Sequence, residues 1–419
     1  MTTRLQWLLL QVSRQLWVRA AAFCLLAVAS ALVAVWVKHY IPEDIPTKIG
    51  ANAVDSLLNI LAVSMLSVTI FSLSTLVAAL GSATNNVTPR ATRLLSEDTT
   101  SQNALATFLG TFLFSLVGII ALQTGVYGGR GRVVLYVVTI AVIVLIVITL
   151  LRWIHHVTTL GRVGTTTDRV EDAATEAMRQ QKRNPYFGGT PLTDSDAIPD
   201  DAVPVHAKRM GYVAHMDMEA LSEACTDASH RIYVRTLPGG YASLERPLAV
   251  VVGSCSEELV AAVQDAFTVG ECRSFDQDPR FGASVLAEIA SRALSPAMND
   301  SGTAIDVLGR AARLLAIWAE PDDQAPSVEY PRIHVPPILM DDLFDDLFTP
   351  IARDGASIVE VALRLQKVLR MLSRLGPLYR LPSLRHSALA LERSEQAMPL
   401  QDDRRRVGAV AVEIRALRH

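Results

Sequence analysis

The segment VVLYVVTIAVIVLIVITLLRW, residues 133–153, decides the class of this protein. It is apolar apart from one tyrosine and two threonines, and it carries no charge before Arg152. A helix of about 20 apolar residues spans the hydrocarbon core of a bilayer. The segment therefore predicts a transmembrane helix, and an integral membrane protein is the first expectation.

Three segments of similar length precede it, at 16–37, 56–82 and 104–123. The first follows Arg4 and Arg14 in the manner of a signal peptide, but its apolar run is too long for a signal h-region. We interpret it as an uncleaved helix. The sequence thus predicts four transmembrane helices, followed by an α+β module and a helical C-terminal region.

Positive residues in short flanks predict the orientation of these helices. The loops on the predicted outer side of the membrane carry Arg130 and Arg132, together with two lysines whose charge is offset by neighbouring acidic residues. The resulting bias is modest, and it predicts an inner-membrane protein with both termini in the cytoplasm. The predicted cytoplasmic side holds Arg4, Arg14, Arg19, Arg90, Arg93, Arg152, Arg162 and Arg169.

Composition separates an apolar first part from an ordinary polar remainder, although the averages over 419 residues are 50% hydrophobic and 19% charged. The formal net charge of -3 gives nucleic-acid binding no electrostatic support. The four cysteines lack metal-ligand spacing and are expected to be reduced. Neither a metal nor a cofactor is expected.

The second apolar segment differs from the others because it carries a stripe of small hydroxyl residues. Ser64, Ser67, Ser74 and Thr75 recur there at helical spacing. Such a stripe lets helices approach closely and form hydrogen bonds across the contact. Helix packing is the more common explanation, and the same four residues are candidates for lining a pore. The middle of each predicted helix lacks Asp, Glu, Lys and Arg, which argues against proton-coupled transport by a buried carboxylate.

Five residues are candidates for the membrane interface. Trp and Arg commonly anchor helix ends there, and the basic segment after Pro89 predicts a short amphipathic helix on the surface, with a plain connecting loop as the alternative. Adjacent histidines on a helix point about 100° apart, so they cannot easily chelate one metal ion. An anchoring role is therefore favoured over pH sensing or metal binding. The five are Arg90, Arg93, Trp153, His155 and His156.

The remainder of the chain begins with a polar helix and a linker over 156–207. Residues 208–275 alternate strand and helix patterns in the order β-α-β-β-α-β, which predicts a small α+β module. Residues 276–419 are expected to be mainly helical. An acidic cluster in this part needs either neutralisation by a cation or a basic partner surface, or a helix N-terminal position, and the second is the milder explanation. Its members are Asp341, Asp342, Asp345 and Asp346.

Two helix starts in the C-terminal part carry the polar residues best suited to a ligand. Asp278 and Arg280 lie near one start, Asn299 and Asp300 precede the next, and Arg292 lies between them. A helix N-terminus presents free N–H groups to an anion. These five residues are ligand-site candidates, and the more frequent explanation is that they tie the two helices together. The sequence lacks a Ser-His-Asp arrangement, HExxH, a P-loop and GxGxxG, so an enzyme is not expected.

These residues together resemble a bacterial family of predicted membrane proteins known as domain of unknown function 2254. The resemblance covers essentially the whole chain and is strongest over 278–282 and 292–300. This chain has Pro238-Gly239-Gly240 where the family commonly has Pro-Gly-Asp, and Ser301 where it often has Pro. The resemblance implies an inner-membrane protein with a cytoplasmic C-terminal domain, and it brings no established activity.

We expect an oligomeric channel or transporter-like protein, with a cytoplasmic domain that regulates it. A single copy with one weakly polar helix could not easily enclose water, so a homo-oligomer in the lipid bilayer is part of this expectation. The alternative is a membrane-anchored scaffold or sensor, whose cytoplasmic domain binds a protein partner or a small ligand.

Overall fold

Apolar helices form the first part of the chain, because a helix satisfies every backbone hydrogen bond within its own segment in lipid. The computed structural model describes residues 51–96, 98–124, 128–193, 198–321 and 327–416, with four isolated helical positions at 18, 21, 25 and 29. The first predicted segment, 16–37, lies outside the described residues apart from those four positions.

From residue 51 onward, the first helices that the structure describes are α1 (Ala51–Asn86), α2 (Pro89–Ser96), α3 (Thr99–Gln123) and α4 (Gly128–Val157). Within the described residues, three of them are long and apolar enough to cross a membrane, over 53–86, 99–123 and 132–157. The second, third and fourth predicted segments are therefore confirmed as candidate membrane spans.

The three spanning helices pack through shared apolar clusters. Leu58 of α1, Phe114 of α3 and Leu135 of α4 are buried together in one of them. Gly118 of α3 allows this approach, because a Cβ there would lie 3.0 Å from Leu58 Cδ1. Close packing at small residues is a main source of attraction between helices in lipid.

The described residues form two compact units. The membrane unit contains residues 51–85 and 92–166. The α+β unit contains residues 86–91 and 167–416. All eight strands of the described residues belong to the α+β unit.

Within the described residues, nine α-helices follow α4. Four of them begin with a cap residue, Asp217, Ser256, Asp278 or Asp300, whose side chain accepts a hydrogen bond from a main-chain N–H three residues later. The nine are α5 (Val163–Arg183), α6 (Met218–Ala224), α7 (Glu257–Ala266), α8 (Pro279–Ala293), α9 (Ser301–Ala316), α10 (Met340–Asp354), α11 (Val359–Leu372), α12 (Pro377–Ala397) and α13 (Gln401–Ala416).

The strands form a mixed five-stranded sheet in the order β1-β8-β4-β6-β2 and a three-stranded antiparallel sheet in the order β5-β3-β7. β8 pairs in parallel with both β1 and β4. Val213, Ile232 and Val251 lie in one core that both sheets share. The strands are β1 (Gly189–Pro191), β2 (Val203–Val205), β3 (Gly211–Met216), β4 (Arg231–Val234), β5 (Tyr241–Ala242), β6 (Ala249–Val252), β7 (Phe267–Gly270) and β8 (Tyr330–Val335).

The sheets extend beyond the predicted module at 208–275. β1 and β2 come from the segment interpreted as a linker, and β8 comes from the region expected to be helical. Pro191 and Pro204 suggested a linker, but both lie on edge strands, where the missing N–H is tolerated. β7 begins at Phe267, directly after α7.

Candidate functional site

A cavity of about 320 Å³ opens in the α+β unit at the carboxyl ends of two adjacent parallel strands. Arg235 follows the last residue of β4, and Pro336 follows the last residue of β8. Sheets with parallel strands commonly bind ligands at this edge. We call this space the arginine cavity, because its lining includes Arg235, Arg246, Arg273 and Arg280.

Asp278 is the buried anchor of the cavity wall. Its carboxylate accepts hydrogen bonds from Arg273 Nε at 2.7 Å, from Arg273 Nη2 at 3.0 Å and from the Phe281 N–H at 3.1 Å. Burial raises the pKa of the Asp278 carboxyl, and the hydrogen bonds and charge of Arg273 oppose that effect. The Arg273 guanidinium also lies 5.2 Å from the centre of the Phe281 ring. Arg273 is therefore held in place from two sides.

Arg280 joins the start of α8 to the acidic cluster on α10. Its Nη1 donates to Asp342 Oδ2 at 2.6 Å, and its Nε donates to Asp346 Oδ2 at 2.7 Å. Another arginine, Arg385 of α12, donates to Asp345 Oδ2 at 2.8 Å. The first two aspartates of the cluster lie in the first turn of α10, where the helix dipole favours negative charge. The helix N-terminal explanation therefore applies to two of the four aspartates, and arginines of the same chain, which the sequence had not indicated, contact the cluster as well.

The remaining residues of segment 278–282 have packing roles. Phe281 contacts Phe275, with ring centres 4.6 Å apart. A Cβ at Gly282 would lie 2.3 Å from Ala174 Cβ, so glycine lets α8 approach α5 closely. Pro279 occupies the first helical position, which its fixed φ suits.

Gly239 lets the turn after β4 close on the cavity wall. Its φ is +88°, in the left-handed region that favours glycine, and a Cβ there would lie 2.1 Å from Asp278 Oδ2. Gly240 is the position at which this chain departs from the Pro-Gly-Asp turn. Gly239, which the position of Asp278 requires, is therefore the glycine that this turn and the Pro-Gly-Asp turn have in common.

Two of the four arginines have no carboxylate partner within the described part of the chain. The Arg246 Nη2 donates to the main-chain oxygen of Arg235 at 3.1 Å, and both side chains are exposed. The acidic residues of the lining are Asp278 and Asp342, so four arginines leave a formal charge of +2. Planar guanidinium groups without a counter-charge suit an anion that accepts paired hydrogen bonds.

The five ligand candidates do not converge on one site. Asp278 and Arg280 line the arginine cavity. Arg292, Asn299 and Asp300 lie at or beyond the far end of α8, a helix of 15 residues, which corresponds to roughly 20 Å at 1.5 Å per residue. Asn299 has a φ of +49° and Asp300 caps α9, so these two residues shape the turn between the helices.

The four pore candidates satisfy their hydroxyl groups within α1. Ser64, Ser67, Ser74 and Thr75 each donate to a main-chain oxygen three or four positions earlier, at 2.9–3.3 Å. Ser67 and Ser74 are exposed in the single chain, and the other two are half-buried. A column of buried hydroxyl side chains lies on α3, at Thr107, Thr111 and Ser115.

The five interface candidates occupy separate places. Within the α+β unit, Arg90 forms an ion pair with Glu288. Within the membrane unit, His156 Nε2 lies 2.7 Å from Asp98 Oδ2, which connects the end of α4 to the N-cap of α3. Trp153 is buried, with its ring centre 6.0 Å from that of His156. Arg93 and His155 are exposed. Among the described residues, no group of three or more His, Cys, Asp or Glu side chains could hold a metal ion.

Sequence reasoning missed Arg235, Arg246 and Arg273, as well as the apolar part of the cavity lining. These residues come from separate segments that only the folded sheet brings together. One feature of the sequence could have pointed to Arg235, because it lies near the end of a strand pattern and shortly before a glycine-rich turn. The apolar lining consists of Phe187, Leu237, Pro238, Pro279, Pro336, Pro337, Ile338 and Leu339.

The chain matches the family described as "Predicted membrane protein (DUF2254)" over residues 13–371. It is similar to the uncharacterized proteins Mb1321c of Mycobacterium bovis, and Rv1290c and MT1328 of Mycobacterium tuberculosis. Each is 27% identical over 271 residues, which is 61% of this chain and 50% of the relative, so the chain spans about half the length of the curated relatives it matches. No solved structure matches it. Since the family match covers most of the sequence, the chain belongs to the DUF2254 family of predicted membrane proteins.

Proposed function

We propose that this membrane protein is a sensor whose spans anchor the α+β unit and whose arginine cavity binds a small anion. The observation that carries this proposal is the pair Arg235 and Arg246, which line one cavity without a carboxylate partner in the described residues. Both side chains carry a positive charge on the wall of one cavity, and a bound anion would be attracted to both.

Two further features support an anion in this position. The cavity lies at the carboxyl ends of β4 and β8, the edge at which parallel strands commonly present ligands. The lining also contains four arginines and two aspartates, and this formal charge of +2 favours a negatively charged ligand.

Thermal unfolding of the purified full-length protein tests the proposal. Sodium phosphate should raise the melting temperature relative to sodium chloride at equal ionic strength, because a ligand that binds only the folded state stabilises it. The shift should disappear in the double variant Arg235→Gln/Arg246→Gln. It should persist in Arg231→Gln, which removes an exposed arginine from the other end of β4. An equal shift in all three proteins, or none in the native protein, would exclude anion binding at this cavity.

The proposal includes an inner-membrane location with both termini in the cytoplasm, which rests on the bias of arginines around the predicted spans. It assigns binding and no catalysis to the cavity. Reporter fusions at residues 1 and 419 test the orientation, and activity of either reporter outside the cytoplasm would contradict it.

A second candidate function is an oligomeric channel. It is favoured by the exposed position of Ser67 and Ser74, which places two hydroxyl groups where several copies of α1 could meet. Ion flux through the reconstituted protein, measured beside its mass in detergent, tests this candidate. Flux from an oligomer that bulky residues at Ser67 or Ser74 change would support it, and a strict monomer would exclude it.

A further inference from the structure

We infer that the ligand of the arginine cavity is a phosphate monoester with an apolar or aromatic body, of about the size of a mononucleotide or smaller. This inference rests on the proposed function, because it names the chemical class of the anion that the same cavity would bind.

The charge of the ligand follows from the guanidinium groups that remain available. Arg273 is held in a two-point ion pair by Asp278, and Arg280 is shared between Asp342 and Asp346. Arg235 and Arg246 are left to bind a ligand. A phosphate monoester carries about −1.5 to −2 charges near neutral pH and three acceptor oxygens, so it matches two guanidinium forks better than a single carboxylate does.

The body of the ligand follows from the rest of the lining. Leu237 and Pro238, from the turn after β4, contribute one apolar part of the lining, and residues 336–339 after β8 contribute another. Gln277, the amide of the lining, already exchanges hydrogen bonds with the main chain of Met216. The lining therefore offers charge at the arginines and mainly apolar contact elsewhere.

The size of the cavity also argues against a bare inorganic ion. A volume of about 320 Å³ is near the lower end of the range for pockets that enclose small organic ligands, roughly 300–1,000 Å³. A phosphate ion would fill only a small part of it and leave the prolines and leucines exposed to water. An ester with an apolar group would cover them.

Leu339 provides a variant that separates the two parts of the ligand. It lines the cavity, is 54% exposed and occupies the N-cap position of α10 without a side-chain cap. Serine is a preferred N-cap residue, so Leu339→Ser should leave α10 intact. It should weaken contact with the apolar body and leave contact with the phosphate unchanged.

Calorimetric titration of the full-length protein in phosphatidylcholine nanodiscs tests the inference. The probes are inorganic phosphate, 1-naphthyl phosphate and 1-naphthol. We expect 1-naphthyl phosphate to bind at least tenfold more tightly than inorganic phosphate, and 1-naphthol to bind too weakly to measure. Arg235→Gln/Arg246→Gln should weaken both phosphates at least tenfold, Arg231→Gln neither, and Leu339→Ser only the naphthyl ester.

The outcomes distinguish the inference from the function on which it rests. Equal affinity for the two phosphates, or equal loss of both in Leu339→Ser, would overturn the ester assignment and leave anion binding in place. No binding of either phosphate, or binding that the double arginine variant retains, would overturn both. A tenfold weaker response to 1-naphthyl phosphate in nanodiscs that contain phosphatidic acid, and not in nanodiscs with the same charge supplied by the phosphodiester phosphatidylglycerol, would support the same chemistry and identify a lipid as its source.

Discussion

The guanidinium of Arg280 donates two hydrogen bonds to the carboxylate of Asp346, from Nε to Oδ2 at 2.7 Å and from Nη2 to Oδ1 at 3.3 Å. The pair joins the first turn of α8 to α10 across 66 positions of sequence. Because Arg280 also lines the arginine cavity, the same residue connects the proposed ligand site to the acidic cluster.

Replacing Arg280 should destabilise the α+β unit by leaving two aspartates without their partner. We expect Arg280→Gln to lower the free energy of unfolding by about 1–2 kcal/mol, a moderate value because the pair is partly exposed. Denaturant unfolding of Arg280→Gln, Asp346→Asn and the double variant measures the coupling. The double variant should lose less than the sum of the single losses. Strict additivity would show that the contact contributes nothing, and Arg231→Gln provides the control for loss of charge.

Gly239→Ala should destabilise the cavity wall. The new Cβ would approach Asp278 Oδ2 to 2.1 Å, and alanine disfavours a φ of +88°. We expect a loss of about 1–3 kcal/mol in the free energy of unfolding. Gly164→Ala is the matched control, because Gly164 lies in α5 and a Cβ there meets nothing within 4 Å. Equal stability of the two variants would mean that Asp278 moves aside at little cost.

His386 should make the stability of the α+β unit depend on pH. Its side chain is 3% exposed, against Phe344 and with Nε2 3.2 Å from Asp345 Oδ1. Burial lowers the pKa of His386 below its usual 6.5. The unfolded chain therefore binds a proton at a higher pH than the folded chain does, and stability falls as pH drops from about 6.5 towards the folded pKa.

Unfolding of the native protein and of His386→Gln between pH 7.5 and 5 measures this contribution. The native protein should lose more stability than the variant over that window, because the glutamine cannot take up the proton. Parallel curves for the two proteins would show that His386 does not contribute to the pH dependence.

The exposed serines of α1 should tolerate apolar replacement if that face contacts lipid. Ser67 and Ser74 already bond to their own helix, so Ser67→Leu and Ser74→Leu should change stability by about 0.5 kcal/mol or less. Gly118→Val should instead lower it by about 1–3 kcal/mol, since Leu58 already lies against Gly118. Thermal unfolding in detergent compares the three. A large loss in either serine variant would indicate that the face packs against a second copy, as the channel candidate requires.

The membrane part was largely predictable, because length and apolar content decide whether a helix can span a bilayer. Segments 56–82, 104–123 and 133–153 all lie within helices of the described chain. The spacing of the hydroxyl residues on α1 could not reveal whether that face of the helix is buried or exposed. Ser67 faces outward while Ser115 of α3 is buried, and only the packing of three helices decides between those positions.

In the α+β unit, individual strands and helix starts were predictable from the sequence, but the pairing of distant strands was not. The strand pattern at 211–216 and the polar residues at helix starts have short-range causes, namely alternation and capping. The membership of β8 in the sheet depends on pairing with β1 and β4, which are distant in sequence. The arginine cavity depends on that pairing, so its residues could not be grouped from their spacing.

The central position of β8 also orders the events of biosynthesis. β8 is the last strand to be made, yet β1 pairs with no other strand of its sheet and β4 has an open edge until β8 arrives. Roughly 100 residues separate β4 from β8, about 5–20 s of translation at typical rates. By then the apolar helices have long left the ribosome. The helices that can cross a membrane therefore become available for insertion well before the arginine cavity can form, and during that interval the nascent chain has no complete site for the proposed ligand.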